Sequence, residues 1–307
     1  HWAKLSLDFE PGSETRYSNT DYVIAGRIVE KAAQEPLMQF LEEHFFNPLG
    51  MSAVTEDDSH ALLPPDAAGY TQYGLGPVRL APQEGLGWKF SSAELAMRPR
   101  DLALWDIGLM NHTLLQPQSY QAETEPVKLT DGKDSDYALG LQTSKRDGQR
   151  SLYFQAEISG FLSENYIFPD DKVAIIVLTN SDAGSPPPSL EMARRLIYLF
   201  VPPTGMDKTV RDLLGQIQRG DIDRSVLSQN ANAFLTDTVV ADMSLSLAAL
   251  GPVRALRQIT EERQQGGMSF RYYWVEFGAR MLVVSVGIRP DGRIEQFLLW
   301  DIAVPMY

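Results

Sequence analysis

Apolar residues return every three or four positions through the first fifty residues, and this period predicts two helices. We expect the first helix to begin at Asn19-Thr20-Asp21, because short polar side chains can cap the free amides of a first turn. Its apolar face comprises Tyr22, Ala25, Gly26, Val29 and Ala33. We expect the second helix to begin at Pro36 and to end at Pro48. Its apolar stripe comprises Leu37, Phe40, Leu41 and Phe45.

The period changes from helix to strand along the middle of the chain. Residues 60–90 are rich in Gly and Pro, which predicts a long loop or a few short strands of the kind that often borders a site. Pro99 begins a helix that carries Leu102, Trp105, Asp106 and Leu109. Strands are then expected at 137–144, 151–158, 161–168 and 172–179, and a helix from Ser189 to Phe200. Residues 173–178 are apolar on both faces, which predicts a central strand covered on both sides.

The segment 201–205, Val-Pro-Pro-Thr-Gly, indicates a domain boundary. We expect one domain over 1–203 and a small accessory α+β domain over 204–307. Helices in the second are expected at 207–218 and 222–235, and strands at 269–277, 281–289 and 294–301. Aromatic residues alternate along the first of these strands, at Phe270, Tyr272 and Trp274. They favour either core and interface packing or a pocket for a small ligand.

Composition narrows the classes of partner. The formal net charge of −13 disfavours nucleic acid and anionic membranes, both of which require clustered Lys and Arg. No apolar run approaches the ~20 residues that span a bilayer. The chain has no cysteine, and its four histidines, His1, His44, His60 and His112, lack ligand spacing. We therefore expect no metal and no cofactor. A small-molecule substrate and association through the C-terminal domain are the partners that we predict.

Several short motifs resemble the serine β-lactamase and penicillin-binding-protein superfamily, in its class C β-lactamase, D-aminopeptidase and esterase branch. They are Glu10-Pro11-Gly12, Tyr17-Ser18-Asn19, Asn47-Pro48-Leu49-Gly50-Met51 and Asp101-Leu102-Ala103-Leu104-Trp105. The resemblance covers roughly residues 5 to 200. It implies an α/β (α+β) fold in which an antiparallel sheet is flanked by helices. The order of elements after residue 204 resembles, more weakly, the cone-shaped ketosteroid-isomerase-like folds.

The superfamily's nucleophile motif is absent from these residues. No serine in the chain has a lysine three places later, and there is no G-x-S-x-G elbow. Two interpretations stay open: the nucleophile lies upstream in a longer protein, or the chain comes from a lineage that has lost its chemistry. The abrupt start inside a family segment favours the first. The compartment is left open, since a periplasmic or secreted location would need an upstream signal and a cytoplasmic one is equally compatible.

The resemblance implies roles for particular residues. Tyr17 would relay a proton to the leaving group, and Asn19 would position the substrate or a lysine. The alternative is that Tyr17 is a half-buried tyrosine and Asn19 caps a helix. The superfamily's Lys-Thr-Gly or His-x-Gly strand falls on Phe154, Gln155 and Ala156. Phe154 has no charge, although a shift of one residue would put Gln155 in the polar role, and the amide of Glu157 could still stabilise an oxyanion.

Two functions follow from these residues. The first is a serine hydrolase that acts through an acyl-enzyme on small esters, amides or D-amino-acid peptides. Without the motif's lysine, recognition of a β-lactam carboxylate should be poor, which favours an esterase or peptidase. The second is a catalytically inactive relative that serves as a binding or interaction module.

Overall fold

The computed structural model describes residues 6–57, 66–146, 149–184, 187–259, 262–278 and 280–301. It divides into two compact units, His1–Ala193 and Arg194–Tyr307. The division falls inside the helix Pro188–Phe200, and Arg195, in the part of that helix that belongs to the second unit, forms an ion pair with Glu276 of the same unit. The expected domain boundary at 203/204, just after that helix, stays a prediction.

Two helical segments open the first unit. Helix α1 (Asn19–Ala33) begins where the sequence predicts it. Helix α2 (Leu37–Leu41) continues through a π-helical turn (Glu42–Phe46) into α3 (Asn47–Leu49). The prediction that Pro48 ends this helix is wrong. The wider π turn directly before Pro48 relieves the clash that a proline ring makes with the preceding turn, and Gly50, at φ 72°, ends the helix instead.

The apolar face of α1 is only partly buried. Gly26 is the buried residue of the helix, whereas Ala25 is exposed, contrary to the predicted face. Ile24 and Ile28 are 53 % and 62 % exposed. The loop residue Ser91 packs closely against Gly26, because a Cβ built on this glycine would lie 2.3 Å from Ser91 Oγ. The helix is therefore held by a close contact at one glycine rather than by a broad apolar face.

The segment after these helices is a loop with short strands, as predicted over the part that the structure describes. Strand β1 (Thr55–Glu56) pairs with β4 (Leu95–Ala96), and β2 (Tyr70–Thr71) pairs with β3 (Arg79–Leu80). Residues 58–65 lie outside the described residues. The predicted helix at Pro99 is confirmed as α4 (Pro99–Met110), and the unpredicted helix α5 (Pro117–Thr124) follows it.

The main sheet of the first unit has four antiparallel strands in chain order. They are β5 (Gln142–Arg146), β6 (Gln149–Ile158), β7 (Phe161–Phe168) and β8 (Val173–Thr179). Three of the four predicted strands are confirmed to within about two residues, and the first begins at 142 rather than 137. Helix α6 (Pro188–Phe200) follows, as predicted. Leu109, Tyr120, Leu152 and Ile167 form the unit's buried cluster.

The prediction that residues 173–178 form a central strand is wrong for the described part of the chain. Strand β8 lies at the end of the sheet and pairs only with β7. Its side chains alternate, with Ile175 and Val177 buried and Ile176 half-buried. An apolar run indicates that both faces of a strand are covered, but it does not indicate how many strands pair with it. Here α4 packs on β8.

The second unit is a helix-covered antiparallel sheet. Its helices are α7 (Gly205–Arg219), a 3₁₀ turn (Arg224–Val226), α8 (Gln229–Phe234) and α9 (Asp237–Ala248). Its strands are β9 (Ala255–Gln258), β10 (Arg263–Gln265), β11 (Met268–Glu276), β12 (Met281–Ile288) and β13 (Ile294–Asp301). They run β10-β11-β12-β13, and β9 also pairs with β11. Helix α9 and strands β9 and β10 were missed, and the three later strands are confirmed.

The alternating aromatic residues Phe270, Tyr272 and Trp274 lie on the less buried face of β11. Tyr273 and Val275 point into the unit's core, together with Phe277 beyond the strand's end, whereas Tyr272 and Trp274 are half-buried on the other side. The guanidinium of Arg257 lies 4.0 Å from the centre of the Trp274 ring, a favourable cation–π contact. The pocket for a small ligand that was predicted at these aromatic residues stays a prediction.

The turn between β6 and β7 gives a test of how tightly the first unit is packed. Gly160 has φ +77°, and a Cβ there would lie 2.6 Å from both Ala81 Cβ and the Tyr70 amide nitrogen. Gly160→Ala should lower the free energy of unfolding by about 3 kcal/mol, the sum of left-handed strain and overpacking. Gly132→Ala has similar strain, at φ +84°, but nothing within 4 Å. It should cost about 1 kcal/mol. Urea unfolding measures both, and equal losses would contradict the packing assignment.

Candidate functional site

Tyr17 and Asn19 form a local hydrogen-bonded pair at the start of α1. The Tyr17 hydroxyl donates to Asn19 Oδ1 over 2.9 Å. Asn19 is the first residue of the helix rather than its cap, and Ser18 in the capping position makes no side-chain cap bond. The expectation that short polar side chains cap this helix is therefore wrong. The Asn19 side chain instead fixes the direction of the phenol.

The structure brings Tyr17 next to β6, the strand on which the sequence analysis places the superfamily's Lys-Thr-Gly or His-x-Gly motif. The centre of its ring lies 6.3 Å from that of Phe154 on β6 and 5.9 Å from that of Tyr22 on α1. Its side chain is 52 % exposed. The phenol therefore borders an accessible surface between α1 and β6, and residues far apart in the sequence meet there.

Strand β6 has an open stretch where it passes Tyr17. Its pairing with β5 ends at the partners Tyr153 and Gln142, whereas its pairing with β7 continues to Ile158. Residues 154–158 therefore have no β5 partner among the described residues. An unpaired strand edge presents backbone N–H and C=O groups to whatever lies beside it. Glu157, whose backbone amide is predicted to stabilise an oxyanion, lies within this stretch.

The pleat of β6 separates the four candidate residues into two pairs. Side chains alternate along a strand, so Phe154 and Ala156 share the face toward Tyr17. Gln155 and Glu157 lie on the opposite face. Gln155 Nε2 donates there to Glu164 Oε2 over 2.7 Å and to the Tyr166 hydroxyl over 2.9 Å.

The Glu164 carboxylate that binds Gln155 is itself buried, and it accepts a hydrogen bond from Ser189 of α6. Gln155 is thus engaged in a network behind the sheet. The side chain beside Tyr17 is the apolar ring of Phe154.

The surroundings of Tyr17 and Tyr137 favour the neutral, protonated form of both phenols. Burial, and then the neighbouring Tyr22, raises the pKa of Tyr17 above its ordinary value. The Tyr137 hydroxyl is buried and makes no hydrogen bond of acceptable geometry to any described residue. Burial raises its pKa strongly, and Tyr22, Tyr17 and Asp136 add to the effect. No positive charge of the described residues contributes to either shift, so the Tyr17 phenol is protonated at neutral pH.

A loop segment holds α1 in place beside the sheet. Ser91 Oγ donates to the backbone oxygen of Tyr22 over 2.6 Å. The Arg27 guanidinium lies 3.7 Å from the centre of the Phe90 ring. These contacts fix the helix that carries Asn19 and Tyr22. The sequence predicted a loop bordering a site, but its pattern did not identify Ser91.

Two further residues of this region were not identified as functional from sequence. Tyr137 was read only as the start of a strand, and nothing in its spacing marks it. Asp106 was read as part of a helix stripe. An acid among the apolar positions Leu102 and Leu109 was the available signal, because buried carboxylates are rare unless they are partnered.

The described residues contain one cluster with metal-ligand atoms near one another. The side chains of Glu35, Glu43 and His44 place such atoms within 4.8 Å. Gln39 Nε2 already donates to Glu35 over 2.9 Å and to Glu43 over 3.1 Å. We assign no metal to this cluster. In the same described part of the chain, no helix is both long and apolar enough to cross a bilayer.

The antiparallel sheet flanked by helices is a fold that this chain shares with solved penicillin-binding-protein homologues. The profile of the family described as Beta-lactamase matches residues 2–199. The chain belongs to this family. The second unit is an additional sheet domain.

Curated relatives align over the same part of the chain. Protein flp of Staphylococcus aureus (strain MW2) is 26 % identical over 191 residues, 60 % of this chain and 37 % of its own length. A D-aminopeptidase of Gluconobacter oxydans is 24 % identical over 176 residues, 57 % of this chain and 33 % of its own. The chain thus spans between a third and two fifths of these relatives.

Solved structures share the fold. A D-stereospecific amidohydrolase from Streptomyces sp. has a TM-score of 0.50 and 25 % identity, and covers 57 % of this chain and 53 % of its own. The octameric penicillin-binding protein homologue from Pyrococcus abyssi has a TM-score of 0.54 and 15 % identity. It covers 95 % of this chain and 66 % of its own.

A charge placed beside Tyr17 tests the geometry of the site. Phe154→Lys should lower the pKa of Tyr17, because an ammonium group nearby favours the phenolate. Gln155→Lys is the matched control, since it adds the same charge one residue away on the opposite face of β6. Titration of selectively labelled tyrosine by NMR measures both. No change with Phe154→Lys, or an equal change with Gln155→Lys, would contradict the assigned faces.

Proposed function

We propose that this chain is part of a serine hydrolase that cleaves small esters, amides or D-amino-acid peptides through an acyl-enzyme. The observation that carries the proposal is the Tyr17 phenol, fixed by Asn19 and placed beside the open stretch of β6. Family membership supports hydrolysis as the general reaction. The relatives named as a D-aminopeptidase and a D-stereospecific amidohydrolase support amide substrates.

Each part of the site has a place in the proposed reaction. A serine hydroxyl attacks the substrate carbonyl, and a water later hydrolyses the ester that forms. No serine of these 307 residues is followed three places later by lysine, so the proposal assigns the nucleophile to a residue outside them. Tyr17, protonated at neutral pH, gives its proton to the leaving group and takes up the proton that the serine hydroxyl loses, so that it relays one proton with no net change, and Asn19 orients its hydroxyl.

The open stretch of β6 supplies the electrostatic part of the proposal. When the carbonyl becomes tetrahedral, its oxygen gains negative charge, which backbone N–H groups stabilise regardless of side-chain identity. We assign one such donor to the amide of Glu157. The exposed side chains of Gln155 and Glu157 on the opposite face take no part in this step.

The apolar side chain of Phe154 disfavours substrates that carry a negative charge near Tyr17. It offers an apolar ring at the position that we assign to the motif's lysine, and no cation of the described residues contributes to the raised pKa of Tyr17 or of Tyr137. A substrate that carries an anionic group at this position would be desolvated without a partner. We therefore propose neutral or apolar acyl groups in preference to β-lactams.

A second function is favoured by the same apolar environment. Among the described residues, no cation contributes to the pKa shift of Tyr17, and the ring beside it is that of Phe154, to which we assign the position of the family's polar residue. A relative that binds a ligand without turning it over would tolerate both features. In that case Tyr17 would be a contact residue only.

Replacement of Tyr17 in the natural protein that contains these residues separates the two functions. Tyr17→Phe should lower kcat/KM for a p-nitrophenyl ester by about 10²- to 10⁴-fold, the usual contribution of a positioned proton donor. Labelling by a fluorophosphonate should remain, because that reaction reports the nucleophile. Tyr73→Phe is the control, since Tyr73 is 64 % exposed and lies in the loop after β2.

The outcomes are distinct. If the folded natural protein is not labelled and does not turn over esters or D-amino-acid amides, the hydrolase proposal fails and the binding module is favoured. If turnover occurs and Tyr17→Phe matches Tyr73→Phe, the hydrolase stands and the role given to Tyr17 is wrong.

A further inference from the structure

A fully buried acid lies between α4 and the sheet of the first unit. Asp106 has 0 % exposure and sits in the last two turns of α4. Asn165 of β7 donates from its Nδ2 to Asp106 Oδ1 over 3.0 Å. A single neutral donor does not offset the cost of burying a carboxylate charge. The pair therefore requires an explanation that the proposed reaction does not supply.

The other oxygens of the same two side chains have no partner. Asp106 Oδ2 and Asn165 Oδ1 are both buried, and neither accepts a hydrogen bond from any described residue. Both oxygens are acceptors if the acid is ionised. One proton on Asp106 Oδ2 would make it a donor, and Asn165 Oδ1 is an unpartnered buried acceptor on the side chain that Asp106 already bonds. A single proton thus accounts for both unpartnered atoms.

We propose that Asp106 is a neutral carboxylic acid that closes a two-bond ring with Asn165, and that this pair is a proton-operated clamp between α4 and the strand beside the candidate site. In the closed ring, Asn165 Nδ2 donates to Asp106 Oδ1, and Asp106 Oδ2 donates to Asn165 Oδ1. Loss of the proton turns the second bond into a contact between two acceptors. The proposal concerns this chain alone and does not depend on the proposed function.

The surroundings of Asp106 favour the neutral form. Burial raises the pKa of Asp106 to about 7, and the hydrogen bond from Asn165 opposes this only in part. No charged group contributes to the shift. Strand β8 and α3, which pack on α4, have no titratable side chain.

The other titratable groups near α4 bond partners other than Asp106 or, like Arg100, are exposed. On α4 itself, Asp101 accepts from the amides of Ser52 and Ala53. Lys172 donates to the backbone oxygen of Met110, at the end of the helix. Tyr120 of α5 donates to the backbone oxygen of Gly108, and His112 stacks on its ring. On β7, Glu164 lies on the opposite face, toward Ser189.

The Asp106–Asn165 pair lies next to Phe154, the residue beside Tyr17, on the same face of the sheet. Asn165 is the cross-strand partner of Phe154 in the pairing of β6 with β7. Neighbouring strands are about 5 Å apart, so opposite side chains on one face touch. A change in the protonation of the Asp106–Asn165 pair should therefore alter the surroundings of Phe154 in the open stretch of β6.

The sign of the pH dependence follows from the direction of the shift. The folded chain keeps the Asp106 proton up to about pH 7, whereas the unfolded chain loses it near 3.8. Between these values the folded state binds more protons than the unfolded state. The contribution of Asp106 to stability is therefore complete below the lower value and is lost as pH rises through the upper one.

Asp106→Asn is the decisive variant because its amide copies the neutral acid. Its Nδ2 can donate to Asn165 Oδ1, its Oδ1 can accept from Asn165 Nδ2, and it does not titrate. The wild-type urea midpoint should fall relative to that of Asp106→Asn between about pH 4 and pH 7, with one more proton released per unfolding event. Asp170→Asn removes a carboxylate of a side chain that is 61 % exposed, and its curve should parallel the wild type.

Two spectroscopic measurements complete the test. The infrared carbonyl band of a protonated carboxylic acid should be present in the wild type at pH 5 and absent in Asp106→Asn. The amide resonances of Phe154 and Ala156 should titrate with the same midpoint as that band and should stop doing so in Asp106→Asn. Parallel stability curves for the wild type and Asp106→Asn, or the absence of the band, would overturn the proposal. So would failure of Asp106→Asn to fold, since the ring predicts that the amide is accepted.

Discussion

The register of β6 between its two neighbours is the constraint on which the candidate site depends. Pairing with β7 from Leu152 to Ile158 fixes the pleat, so that Phe154 faces Tyr17 and Gln155 faces the network on the opposite face of the sheet. Pairing with β5 only as far as Tyr153 leaves the following stretch open beside the phenol. A slip of one residue would exchange the two faces and remove the arrangement.

The chemistry of the site is that of a weakly charged surface. Burial, and then the neighbouring Tyr22, raises the pKa of Tyr17, and burial followed by Tyr22, Tyr17 and Asp136 raises the pKa of Tyr137. Behind them Asp106 is buried with one neutral partner. The raised pKa of the tyrosines and the burial of Asp106 both disfavour negative charge in this region. The proposed preference for neutral substrates and the proposed neutral state of Asp106 therefore have the same physical origin, which is the low polarity between α1, α4 and the sheet.

The elements that sequence predicted well are those with strong local signals. The helix starts at Asn19 and Pro99 and the strands around the turns after Ile158 and Phe168 rest on period and turn chemistry. The errors occur where a local signal has two meanings. An apolar run such as that of β8 indicates covered faces in a central and in a terminal strand alike. A short polar residue such as Asn19 can cap a helix or hold a neighbouring side chain.

The sequence by itself determined the family, the order of helices and strands, and Tyr17 and Asn19 as candidates, because motifs and periodicity are properties of neighbouring residues. Only the tertiary structure decided that Tyr17 meets Phe154, that Gln155 points away from it, and that Asp106 is buried against Asn165. These contacts join segments far apart in the chain. They follow from strand register and helix packing, which are set by the interactions of the whole unit rather than by any local pattern.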